Sequence, residues 1–320
     1  MSFRLFFPLF LLTGILAWAA HAQSPAKVYR VGLFTCSRMG PGLEQALAKR
    51  GYSEGKTIQF DRRPTYSDSA GLHRIAAEMA GGQLDLVIAC SYPAAVAALD
   101  KAPDVPIVVL HAGDPVETGL VRSVSHPGGR ITGVSQVSTV LAAKRLQLLK
   151  EAAPNVHKVA MLWNEGDLAM QMRCNAVQAE AKKLGLETEL LPLRSPESFQ
   201  AALYRMSNDP PDAIFVVADG LTIPSDDLVF QYASAHRVPD MEEYGFLSHL
   251  GGLLAYGPDD EDEIDRAADL ADRVLHGAKA GDLPLELPTR YHFTVNLKAA
   301  HERGLEIPET VLERSDDVIE

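Results

Sequence analysis

Eight residues of this 320-residue chain pair polar or reactive chemistry with a position just past an apolar, strand-like run: Cys36, Ser37, Ser91, Tyr92, Asp114, Asn164, Asp219 and Tyr244. Ser91-Tyr92-Pro93 carries the most information. Proline suits a first helical position and serine the cap before it. The free backbone N–H groups and the dipole of such a helix favour an anionic group, for instance a carboxylate. Asp219 supplies the opposite charge, since an ionised carboxylate can hold a ligand ammonium in a charge-assisted hydrogen bond. Both residues also suit plain helix or turn caps, as do Asp114 before Pro115 and Asn164. Tyr92 and Tyr244 offer rings for stacking on an aromatic or cationic ligand. Cys36 and Cys90 follow two strands expected to be neighbours. They read either as small wall residues or as a disulfide, which the spacing of adjacent strands permits.

Enzyme signatures are missing. The chain has no G-x-S-x-G elbow, no P-loop, no H-E-x-x-H and no dinucleotide glycine fingerprint. The ten histidines are scattered, with none at metal-ligand spacing from a cysteine or carboxylate. The acid run Asp259–Asp265 lacks the spaced ligands and turn glycine of a calcium loop, and acids at a helix start are favoured by the dipole. It reads as a solvated helix face. The expectation is a binding protein without catalytic residues, metal or cofactor.

Those polar residues need strands behind them, and the sequence writes the same set of strands twice. Val28–Phe34 (VYRVGLF) is echoed by His157–Trp163 (HKVAMLW), and Arg50-Gly51 before Thr57–Phe60 by Leu184-Gly185 before Glu187–Leu191. Leu84–Ala89, entered through Asp85, is answered by Asp212–Val217. Helical stretches alternate with these runs, among them Pro41–Arg50, Ser67–Ala80 with Ser67 as its cap, Pro93–Lys101, Leu141–Ala152, Leu168–Leu184, Pro196–Asn208, Pro224–His236 and Asp259–His276. Alternation of this kind implies right-handed βαβ crossovers and parallel sheets. Runs such as LVIA and PIVVL are apolar without alternation, as strands covered on both faces must be.

The fold expected is α/β, two Rossmann-like lobes with parallel sheets joined by a multi-segment hinge. Lobe one takes residues 27–136 plus about 258–286, and lobe two 137–257 plus about 287–320, with helix Asp259–His276 crossing back. A cleft between two such lobes is a natural site for a small ligand. In doubly wound sheets the ligand lies beyond the carboxyl ends of the strands.

Residues 1–22 read as an export signal. Arg4 precedes the apolar Leu5–Ala20, and Ala20-His21-Ala22 has the small–x–small pattern of a signal-peptidase site. The core is too short to span a bilayer, so the expectation is a chain that begins near Gln23 and diffuses as a monomer in the periplasm. The formal net charge of −12 repels nucleic acid and anionic lipid. Three cysteines are too few for a disulfide scaffold, and Cys174 falls inside a helix, as a core residue would.

Several stretches, in one order along the chain, resemble a known family. They include Arg50–Gly55 (RGYSEG), Asp114–Val121 (DPVETGLV), Pro127–Gly133 (PGGRITG), Lys144–Glu151 (KRLQLLKE), Leu162-Trp163-Asn164, Tyr256-Gly257-Pro258, Pro288-Thr289-Arg290, Asn296-Leu297-Lys298 and Gly304–Pro308 (GLEIP). Together they resemble the ABC-transporter substrate-binding proteins related to tryptophan- and tyrosine-type binding proteins. The resemblance implies a type I periplasmic-binding-protein fold, a ligand trapped between lobes, and delivery to an ABC permease of the inner membrane. It places Ser91, Asp114, Asn164 and Asp219 at the family's cleft positions. The chain departs from the pattern at Cys36 and Cys90, where Ser or Gly is expected. It departs again at Ser91-Tyr92, where Gly-Thr is commoner, so an aromatic amino acid does not simply carry over as the ligand.

Overall fold

The structure, a computed structural model, describes residues 27–64 and 68–320. The export signal and the cap expected at Ser67 lie outside the described residues. Chain order begins β1 (Tyr29–Phe34), α1 (Met39–Lys49), β2 (Ile58–Arg63), α2 (Ser69–Ala80), β3 (Leu86–Ala89), α3 (Tyr92–Lys101), β4 (Ile107–Val109) and β5 (Ile131–Gly133). Next come α4 (Ser138–Ala152), β6 (Lys158–Asn164), α5 (Leu168–Leu184), β7 (Glu187–Leu193), α6 (Pro196–Asn208), β8 (Ala213–Val216) and α7 (Asp226–His236). The chain ends with β9 (Asp240–Glu242), α8 (Gly245–Leu250), β10 (Leu254–Pro258), α9 (Asp260–Leu275), β11 (Tyr291–Asn296), α10 (Leu297–Arg303), α11 (Glu309–Leu312) and β12 (Asp317–Ile319).

The internal echo becomes a repeated topology. One sheet runs β2-β1-β3-β4-β5, and the other contains β7-β6-β8-β9-β10, the same order, extended by β11 and β12. Neighbouring strands are parallel except β10 and β11. The two matched aspartates do one job twice. Asp85 accepts from Arg30 N and Asp212 from His157 N, both at 2.8 Å across 55 residues. Each carboxylate ties down the entry of a central strand by satisfying an amide that would otherwise be left unpaired.

Helices cover both faces of each sheet, which is why the strands carry no polar alternation. In the first lobe α1 and α9 close one face, with Val31, Leu33, Leu43, Leu47 and Leu270 packed together, and α2 and α3 close the other around Phe34, Leu72 and Met79. The second lobe is built the same way, with α4, α5 and α10 on one face and α6 and α7 on the other. Helix α2 is capped by Asp68, whose side chain accepts from Gly71 N at 2.8 Å. Helix α5 stops at Gly185, in the left-handed region that glycine adopts without penalty. Among the described residues no helix is long and apolar enough to cross a membrane.

The chain passes between the sheets at three places: after β5, between β10 and α9, and between α9 and β11. Ser135 N donates to Glu286 O and ties two of these strips to each other, and Leu285 N donates to Val124 O and holds one of them against the first lobe. Gly133 sits in β5 with φ +154°, and a Cβ there would stand 2.2 Å from Val109 O, so this crowded strand end needs glycine. Val137, the first residue past that strip, takes the left-handed φ of +53°, a rare state for a β-branched residue. The short elements α8, α11 and β12 have no counterpart in the sequence reading, being too brief for periodicity to register.

Candidate ligand-binding cleft

With β1 beside β3 in one sheet and β6 beside β8 in the other, each lobe opens a crevice past the carboxyl ends of its two central strands. The loops there meet around a cavity of about 280 Å³. Lobe one brings Thr35, Ser37, Arg38, Cys90, Ser91 and His111; lobe two brings Asp167, Met170, Asp219, Ile223, Tyr244 and Phe246. The volume is at the bottom of the range for small-molecule pockets, which fits a compact occupant. A wider groove of about 970 Å³, lined among others by Tyr92, Asn164 and Arg194, continues outward and shares Gly220 and Pro224 with the cavity.

On the lobe-one wall, Cys36 and Cys90 are joined as a disulfide with a Cα–Cα distance of 5.0 Å, which decides between the two readings of these cysteines. Cys36 is buried behind the wall and Cys90 faces the cavity. Ser91 caps α3, its hydroxyl accepting from Ala94 N at 3.3 Å and lying 3.2 Å from Thr35 Oγ1. Thr35 and His111, at the ends of β1 and β4, have φ of +57° and +55°. Strained backbone of this kind concentrates where side chains must be aimed.

The lobe-two wall is acidic. Asp219 is buried and fully engaged: Oδ2 accepts from Asn164 Nδ2 at 2.6 Å, and Oδ1 from Leu221 N and Thr222 N at 2.9 Å. Burial raises its pKa, against the pull of those hydrogen bonds. Asp167 caps α5 through Oδ1, which accepts from Ala169 N at 2.8 Å and Met170 N at 3.4 Å. Its carboxyl is pushed up to about 6, first by burial and then by the charge of Asp219, with Arg173 and the cap bonds acting against.

The floor is held by buried charge. Glu243 stands between Arg145 Nη1 at 2.5 Å and Arg173 Nη1 at 2.6 Å, and Arg145 Nε donates to Tyr256 O at 2.6 Å. This clamp fixes the neighbouring Tyr244. Four flat groups then stack in series across the lobes. Arg38 lies 4.3 Å above the Phe246 ring, Phe246 is 5.7 Å from Tyr244, and Tyr244 is 4.9 Å from His111 with the rings within 5° of parallel. His111 Nε2 is 3.1 Å from Glu263 Oε2 and 3.8 Å from Asp260 Oδ1. Burial alone would lower the imidazole pKa; Glu263, Asp260 and Glu243 reverse that, and the net shift is upward. Gln136 Nε2 donates to Glu263 Oε2 at 3.0 Å.

His111, Asp260 and Glu263 bring three ligand-type atoms within 4.8 Å, the grouping among the described residues that could hold a cation. Its burial corrects the expectation of a solvated acid run. Asp259 does cap α9, accepting from Asp262 N at 2.8 Å, but Glu263 is wholly buried and Asp260 turns inward.

Of the residues chosen from sequence, Ser37, Ser91, Asp219 and Tyr244 line the cavity. Tyr92 and Asn164 line the outer groove, and Cys36 backs the wall. Asp114 is a correction. It is buried away from the lining, where its Oδ2 accepts from Thr139 N at 2.7 Å and from the Thr139 hydroxyl, at the start of α4. The backbone is left-handed at His111 and Gly113, and beyond it the Asp114 carboxylate meets Thr139. Arg38, Asp167, Met170 and Phe246 were missed. Arg38 and Asp167 lie a few residues past their strands and carry only cap-like signals, and Phe246 sits on the unanticipated α8.

Two α/β lobes of one topology, three connecting strips and a shared polar cavity define a cleft-type solute-binding protein. The chain belongs to the family described as ABC transporter substrate binding protein, which matches residues 36–319. Among curated relatives, a tyrosine-binding protein of Clostridioides difficile (strain R20291) is 29% identical over 245 residues, covering 76% of this chain and 70% of the relative. Among solved structures, an ABC domain in complex with L-Trp from Streptococcus pneumonia superimposes with a TM-score of 0.82 at 26% identity, covering 92% of this chain and 100% of the other. A conserved domain protein from Vibrio cholerae O1 biovar eltor str. n16961 gives 0.84 at 24% identity over the same shares, a likeness of fold. The fold is that of the type I periplasmic binding proteins.

Proposed function

We propose that this chain is the exported solute receptor of an ABC importer, trapping a small amino acid or similar amine-bearing organic acid between its lobes and handing it to a permease of the inner membrane. The cavity shared by both lobes, with the α3 cap on one wall and two buried carboxylates on the other, carries this reading. A carboxylate end suits the N-terminus of α3, and an ammonium end suits the acidic wall. The tyrosine-binding relative and the L-Trp complex support an amino-acid ligand. The wall carries Cys90 and Ser91, and the side-chain preference is left to experiment.

Closure is the working step. A ligand that touches both lobes favours the closed form by its differential affinity for it, and no bond is made or broken. An export signal read in residues 1–22, and a disulfide that an oxidising compartment favours, support a periplasmic receptor working as a monomer. A thermal-shift screen against amino acids, aromatic acids, nucleosides and sugars tests the proposal. A binder at 100 times its Kd adds about 2.7 kcal/mol. A screen in which only nucleosides or sugars raise the Tm contradicts the amino-acid reading.

A further inference from the structure

The two carboxylates on the lobe-two wall are not equivalent. Both oxygens of Asp219 are already used, by Asn164 Nδ2 and by the amides of Leu221 and Thr222. Asp167 spends only Oδ1 on its helix cap, and its Oδ2 makes no hydrogen bond with any described residue. Asp167 is 1% exposed and lines the cavity, so the little surface it keeps opens there, with no protein donor on this oxygen. Arg173, whose charge acts on Asp167, spends Nη1 on Glu243 at 2.6 Å, and its Nε and Nη2 donate to no described residue, Asp167 included. A buried acceptor left open beside a second buried carboxylate is a standing demand for a cation from outside the chain.

We infer that Asp167 Oδ2 is the atom that receives the ammonium group of the ligand, with Asp219 as a fixed negative neighbour rather than the contact. This rests on reading the cavity as the solute site and sharpens it: the ligand class becomes primary ammonium compounds whose remainder packs on Met170, Ile223 and Phe246. Asp219, Arg173 and Tyr92 are the titratable groups that face Asp167, and Asp219 is the one that opposes its ionisation. An ammonium in the cavity removes that opposition.

Calorimetric titration of the exported chain with L-leucine, L-tyrosine and L-tryptophan, each beside its amine and its deamino acid, tests the inference in wild type, Asp167→Asn and Asp219→Asn. Asparagine keeps the capping oxygen of Asp167, so the fold is retained, which a melting curve checks. In wild type the deamino acid binds weaker than its amino acid by about thirtyfold or more. Asp167→Asn brings the two together. Wild-type affinity also falls about tenfold from pH 7.5 to pH 5, because a carboxyl near 6 must lose its proton first, and the Asp167→Asn affinity stays flat. A deamino acid that binds as well as its amino acid, or a preference that survives Asp167→Asn and is lost only in Asp219→Asn, overturns the inference and leaves solute reception intact. A wild-type chain that binds none of these compounds nor any solute of the screen overturns both.

Discussion

Opening the Cys36–Cys90 bond gives a loss that can be worked out in advance. The bond closes a loop with a sequence separation of 54. In the chain-entropy account, a loop of that length removes about 14 cal/mol/K from the unfolded chain, or about 4 kcal/mol at 25 °C. The bond ties the ends of β1 and β3, both in the first sheet, so the loss belongs to lobe one. The test is a Cys36→Ala, Cys90→Ala double variant unfolded in urea beside the oxidised wild type. Two probes separate the lobes. In a chain starting at residue 23, Trp163 is the one tryptophan, and it lies on β6, so its fluorescence reports lobe two, while far-ultraviolet circular dichroism reports both. The expected result is a dichroism transition moved to lower urea by about 2–4 kcal/mol, with a fluorescence transition that moves less. A variant within about 1 kcal/mol of wild type, or a loss confined to the Trp163 transition, would refute the reasoning.

Other perturbations reach the buried charges. Glu243→Gln leaves Arg145 and Arg173 facing each other without a counter-charge and is expected to cost about 3–5 kcal/mol, read as a lowered Tm with the cavity floor loosened. Glu242, wholly buried with neither oxygen hydrogen-bonded, behaves oppositely. Burial, then the charges of Asp240, Asp226 and Glu243, raises its pKa well above 4.5, so the folded state keeps a proton that the unfolded state releases. Its contribution therefore falls as pH rises from the unfolded value through neutrality. Glu242→Gln is expected to stabilise the protein by about 1–3 kcal/mol at pH 8 and by little near pH 4, and equal Tm changes at both pH values would contradict this.

The architecture was legible because it is written twice. Asp85 and Asp212 sit at matched points before β3 and β8 and make matched bonds, so an alignment of two halves already contained the shared strand order. The site was legible only where chemistry lies immediately past a strand, as Ser91 and Asp219 do. Asp114 follows the same rule and fails it, because backbone at His111 and Gly113 turns left-handed and aims the carboxylate at Thr139. Asp167 looks like any helix cap in one dimension. Its open Oδ2 exists only because β6 and β8 bring it beside Asp219 under a second lobe. Glu263 was hidden likewise: acids at a helix start read as solvated until α9 is packed against β4 and its His111.

The central claim is that the lobes close on a ligand held between them, and the distance across the cleft mouth measures it. Ala70, near the start of α2, and Glu197, near the start of α6, are exposed on opposite lobes and can be replaced by spin-labelled cysteines, since Cys174 is buried with its thiol pushed up to about 11. Without ligand the expected distance distribution is long and broad, and it collapses to a shorter, narrow one at saturating concentration of the solute found in the screen. A saturated binder that leaves the distribution unchanged would contradict it.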